Sequence, residues 1–128
     1  MIEQLVAQDA RDMAERTDLA CPILLFGDAL KTEQIKTRLK ELRHKNVFSF
    51  RTPEEIERLI GGLNYVRRVI VVYTGRKPYE DKTTHDRALQ KVKERQLPFV
   101  SFPQTSFYEF YLNHLAPALQ DLKRQPQQ

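Results

Sequence analysis

Short apolar runs alternate along this chain with longer stretches whose apolar residues recur every third or fourth position. The most marked run is Val69-Ile70-Val71-Val72-Tyr73, set between Arg67-Arg68 and the polar cluster Thr74-Gly75-Arg76-Lys77-Pro78. Large, mostly β-branched residues in unbroken succession predict a strand buried on both faces, as in parallel sheets covered by helices. Ile23-Leu24-Leu25-Phe26 is a second short apolar run, and Val47-Phe48-Ser49-Phe50, apolar at three of four positions, and Phe99-Val100-Ser101-Phe102 read as further strands.

The intervening stretches read as helices. Ile2, Leu5, Val6, Ala10, Met13 and Ala14 predict one over residues 2–16, and Pro22 forces an extended entry into the first strand. From Thr32, the residues Ile35, Leu39 and Leu42 mark a one-sided helix that ends near His44-Lys45-Asn46. Thr52, Pro53 and Glu55 form a capping box for a helix over 53–62, carrying Ile56, Leu59 and Ile60. A polar loop from Thr74 to about Lys82 precedes a helix with Ala88, Leu89 and Val92. Ser106 and Glu109 open a last helix striped by Phe107, Tyr111, Leu115, Ala118 and Leu122, with Pro117 expected to kink it.

Strand–helix alternation predicts an α/β domain of the open, three-layer flavodoxin-like class, with a four-stranded parallel sheet in the order 2-1-3-4. The whole of residues 1–128 reads as one domain: an N-terminal helix within 1–19, four βα units over 22–122, and a frayed tail at 123–128. Such sheets bind ligands outside the carboxyl ends of their strands, where the strand order reverses. That crevice would be floored by Gly27-Asp28 and Tyr73-Thr74-Gly75, with Arg51 and Pro103-Gln104-Thr105 at its sides.

Composition narrows the picture. With 41% hydrophobic and 30% charged residues the chain is of globular character, and no run approaches the ~18 apolar residues of a membrane span. Glu3 and Asp9 stand where a secretory signal would be basic and then apolar, so a cytoplasmic protein with no membrane partner is expected. Cys21 is the one cysteine, which excludes an intrachain disulfide and any site built on several cysteines. A net charge of +4 is a mild basic bias. Its densest part, Lys36 to Lys45, is not interleaved with aromatic residues as in a single-strand binder, so a nucleic-acid partner is not the expectation and weak nucleic-acid binding through this helix stands only as a third alternative.

Candidate chemistry is sparse. Gly27-Asp28-Ala29-Leu30 after the first strand lacks the glycines of a phosphate cradle, and Asp28 reads as a turn or cap residue before a catalytic one. His44, His85 and His114 lie on different elements without ligand-like spacing; no metal or cofactor is expected. His85 alone falls near the crevice. Arg76 and Tyr79 lie in the long connection after the third strand, where Arg offers a planar fork and Tyr a stacking face. The candidate ligand- or partner-binding set is therefore Asp28, Arg51, Tyr73, Thr74, Arg76, Tyr79 and His85.

Over residues 22–122 this order of elements resembles the receiver domains of bacterial two-component signalling. Asp28 matches one first-strand acid, and Phe102-Pro103 matches the proline of the last strand without its lysine. Tyr73-Thr74 stands where that family has its phospho-accepting aspartate, and one βα unit is missing. The resemblance implies a degenerate receiver without phosphorylation chemistry. Arg68 to Leu115 is also similar to an uncharacterised bacterial α/β family, whose helix-opening histidine His85 matches; this implies the topology alone. The expected function is a non-enzymatic signalling or scaffolding module acting through a protein partner. The alternative is a domain binding a small ligand or nucleotide. Tyr108, Phe110 and Tyr111 crowd beside Phe107, which suggests a homodimer through the N- and C-terminal helices.

Overall fold

The computed structural model describes residues 2–62, 69–78, 80–102 and 105–124. Its elements, in order, are α1 (Ile2–Glu15), β1 (Ile23–Phe26), α2 (Ala29–Glu41), β2 (Val47–Ser49), α3 (Pro53–Gly62), β3 (Ile70–Tyr73), α4 (Lys82–Glu94), β4 (Phe99–Ser101) and α5 (Phe107–Phe110). A π-helical turn (Tyr111–Leu115) then runs into α6 (Ala116–Arg124). The strands form one parallel sheet in the expected order 2-1-3-4, with Ile23 opposite both Val47 and Ile70, and Val71 opposite Phe99. The four apolar runs of the sequence are its four strands. Among the described residues, no helix is long and apolar enough to cross a membrane.

Because side chains alternate along a strand, β1 and β3 serve two cores at once. Ile23, Leu25, Ile70 and Val72 face a layer made by α1, α2 and the C-terminal helices, against Ala10, Ile35, Leu39, Phe110 and Leu119. Leu24, Phe26 and Val71 face α3 and α4, against Ile56, Ala88 and Val92. Each fully buried aliphatic side chain contributes roughly 1.5–3 kcal/mol. The crowded aromatics of the final helix are divided between surroundings. Phe110 and Tyr111 are buried, Phe107 and Tyr108 only half so, and α1 covers part of this layer through Ala10, Met13 and Ala14.

Helix ends account for the main departures from the periodic pattern. α2 begins at Ala29, three residues before its first core-facing position Thr32, because Asp28 caps it. Both α2 and α4 end on a residue with positive φ that is not glycine, Arg43 at 73° and Gln96 at 54°. In each case two amides turn back onto the last helical carbonyls. Arg43 and His44 donate to Lys40 and Leu39, while Gln96 and Leu97 donate to Lys93 and Val92. This double closure ends the helix tightly and aims the chain at the next strand. Pro117 shows itself one turn early. It has no amide to donate, and the turn before it widens so that Ala116 N–H donates to the Tyr111 carbonyl.

One polar pair lies inside the apolar layer. His44 Nε2 is 2.7 Å from the Tyr111 hydroxyl, both residues are buried, and His44 Nδ1 has no partner among the described residues. Thr17, also buried, spends its hydroxyl proton on the Ala14 carbonyl at 2.8 Å. Burial drives the His44 pKa down to about 4, against a smaller upward pull from Asp18. Burial also pushes the Tyr111 phenol up to about 12, with Thr17 acting the other way. The imidazole is therefore neutral at pH 7.

The sheet ends on β4, which is three residues long. The Pro98 carbonyl accepts from Val71 N–H, and Phe102 N–H donates to the Tyr73 carbonyl. The alternation between these bonds turns the main-chain groups of Phe99 and Ser101 away from β3, and the Phe99 side chain is 42% exposed.

Candidate functional site

Above the carboxyl ends of β1 and β3 the two chains come together through Gly27 and Thr74. Gly27 has φ +128°, and a Cβ there would lie 2.6 Å from both the Gly75 carbonyl oxygen and Thr74 Oγ1, so only glycine fits. Thr74 is buried, with its Oγ1 3.0 Å from Thr32 Oγ1, 3.2 Å from the Phe26 carbonyl and 3.4 Å from the Asp28 carbonyl. Having one proton, it donates to a carbonyl and accepts from Thr32. Thr74 is a seam between β1, α2 and β3 and is closed to solvent.

Asp28 is buried as well. One carboxylate oxygen accepts from the amides of Leu30 (3.0 Å) and Lys31 (3.3 Å), capping α2. The other lies 3.6 Å from Lys77 Nζ, a partly exposed ammonium delivered by the loop after β3. The divalent-cation site that a receiver implies needs several free carboxylate oxygens. One oxygen of Asp28 is held by the helix amides and the other faces Lys77, and no group of three or more metal-ligating side chains exists among the described residues. The residues present do not fit such an ion.

The open part of the crevice lies beside this seam, between the starts of α3 and α4, and has a volume of about 420 Å³. Phe26 and Phe50, stacked at 4.8 Å, form its floor, and Arg51, Thr52, Thr84 and His85 line it. His85 Nδ1 is 3.2 Å from the Tyr73 hydroxyl, and the rings meet edge to face at 5.9 Å. Partial burial raises the Tyr73 pKa, so the phenol keeps its proton and can donate to the imidazole. Asp81 caps α4, accepting from Thr83 N–H and from the Thr84 hydroxyl, and the Thr84 bond is the main reason its pKa falls. Glu55 closes the start of α3 by accepting from the Thr52 hydroxyl and Arg51 N–H. Arg51 faces Glu33, Glu80 and Asp81 around the same space, so the lining has mixed charge.

Of the residues singled out from sequence, the fold brings Arg51 and His85 to the crevice and sets Tyr73 behind His85. Asp28 and Thr74 are at the right end of the sheet but are committed to structural bonds. Arg76 turns back on its own loop, donating to the carbonyls of Glu80 (2.9 Å) and Lys77 (3.3 Å). Tyr79, Pro103 and Gln104 lie outside the described residues. Thr105 lines a different groove, beside α2. Sequence reasoning missed the Thr32–Thr74 and Lys77–Asp28 pairings, which join distant stretches, and the cap at Asp81, for which an Asp two residues before Thr83 was an available signal.

No protein-family model, curated protein or solved structure matches the chain. The functional reading therefore rests on its own residues.

Proposed function

We propose that this chain is a non-enzymatic, cytoplasmic signalling or scaffolding module of receiver-like topology, whose output is contact with another protein. The observation that supports this reading is the state of Asp28. One oxygen of the carboxylate at the end of β1 caps α2 and the other faces the Lys77 ammonium, with no cluster of ligating side chains among the described residues to hold a cation for phosphoryl chemistry. Its neighbour Thr74 is equally engaged. Leu30, 64% exposed in the first turn of α2, adds apolar surface next to the crevice. Because α1 already covers part of the C-terminal layer, the reading favours a different protein as partner over a second copy of the chain.

Acetyl phosphate with Mg²⁺ tests it. Intact-mass analysis should show no added phosphoryl group, and one such group located on Asp28 would overturn the reading. On the binding side, Leu30→Asp should abolish retention of any protein that the wild type holds from a native lysate. A second reading, a small-ligand site, is favoured by the shape of the crevice. Saturable nucleotide binding that is lost in both Arg51→Ala and His85→Ala would replace the first reading with this one.

A further inference from the structure

The basic positions of α2 lack aromatic neighbours in sequence, but the fold supplies them from the other end of the chain. Phe102, after β4, and Phe107 and Tyr108, at the start of α5, lie along the exposed flank of α2. Lys31 Nζ sits 5.8 Å from the centre of the Phe102 ring, and Arg38 Cζ sits 5.9 Å from that of Tyr108. Between these pairs runs a groove of about 770 Å³, lined by Lys31, Gln34, Ile35, Arg38, Phe102 and Phe107 among others. It shares no lining residue with the crevice.

Lys31 and Arg38 are seven positions apart, which puts them on one side of the helix and ~10 Å apart along it. Glu41 is the acid of the groove. It pairs with Arg38 at 3.2 Å, but both side chains are about half exposed (51% and 54%) and the pair is readily exchanged. We propose that this groove binds single-stranded nucleic acid. Lys31 and Arg38 each take a backbone phosphate of the same strand. Unpaired bases stack on the guanidinium plane over Tyr108 and on Phe107, and Gln34 offers an amide to base edges. A duplex keeps its base faces stacked internally and cannot use such layers. The chain's net charge of +4 adds attraction at a distance.

The test is fluorescence anisotropy of a fluorescein-labelled oligothymidylate of about twelve nucleotides, a length typical of single-strand sites, titrated with the full chain. Binding should be saturable at about 50 mM salt, and log K should fall against log salt with a slope near −1.4, about −0.7 for each of two phosphates. Lys31→Gln and Arg38→Gln should each remove about half of that slope. Tyr108→Leu should weaken binding roughly tenfold while leaving the slope unchanged. Lys93→Gln, on α4, should change nothing, and circular dichroism should show every variant folded. Absence of saturable binding up to about 100 μM protein would overturn the proposal. So would binding that survives both Lys31→Gln and Arg38→Gln, or equal competition by a duplex of the same length.

Discussion

Lowering the pH should destabilise this protein in part through a buried imidazole, that of His44. Its folded-state pKa is depressed from the ordinary 6.5 to about 4. Above pH 6.5 the imidazole is neutral in both states and contributes no pH dependence. As the pH falls from there, the unfolded chain takes up a proton that the buried ring refuses, so stability drops until the folded form also titrates near pH 4. At about 1.4 kcal/mol per pH unit the loss approaches ~3 kcal/mol, and it is already ~2.5 kcal/mol at pH 4.5. That is a large part of the ~5–15 kcal/mol that holds a domain together. Carboxylates titrate in the same range, so the contribution is isolated by difference. Urea unfolding of wild type and His44→Gln would be followed at several pH values between 7.5 and 4.5. Tyrosine emission and circular dichroism serve as probes, since the chain has five Tyr and no Trp. The wild type should lose ~2.5 kcal/mol more than the variant across that range. Parallel pH profiles would refute the reasoning and place His44 in contact with water.

Three further outcomes follow from the geometry. Gly27→Ala must put a side chain at φ +128° and 2.6 Å from Thr74 Oγ1 and Gly75 O; it should cost at least about 2 kcal/mol, read as a lower urea midpoint. Asp28→Ala removes the cap of α2 and the partner of Lys77; a loss of about 1–2 kcal/mol is expected, largely recovered in Asp28→Asn, which still caps. Arg43→Gly relieves a positive φ of 73° at the exit of α2 and should raise the melting temperature, by up to about 1 kcal/mol of stability; no gain would mean that the Arg43 side chain makes a contact worth as much.

The strands were legible as short apolar runs, unbroken in Ile70–Tyr73 but holding a serine in β2 and β4, and β4 at the sheet edge is not covered as the central strands are. The start of α2 was not legible. Apolar periodicity reports core-facing residues, and Ala29 and Leu30 face solvent, so the helix seemed to begin at Thr32. The exits at Arg43 and Gln96 were hidden for the opposite reason: the residue that normally marks a left-handed turn, glycine, is absent from both. Asp28 could be read as a cap from its place before a helix. Its ion pair with Lys77 could not, since nothing local ties the two stretches. The Lys31–Phe102 and Arg38–Tyr108 pairs show the same limit, for spacing along the chain says little about which distant side chains a sheet brings together.

The short last strand has a consequence for behaviour at high concentration. Phe99 and Ser101 direct hydrogen-bonding groups outwards beside an exposed aromatic ring, which is the kind of margin on which foreign chains add and polymers grow. In the sequence Pro103 follows this segment and has no amide to donate to a growing ladder, whereas Pro98, whose carbonyl accepts from Val71, belongs to the inner side. With β4 only three residues long, a docking strand would find few bonds on this margin. Replacing Pro103 with alanine would add a donor next to the strand and should lower the concentration at which the protein aggregates.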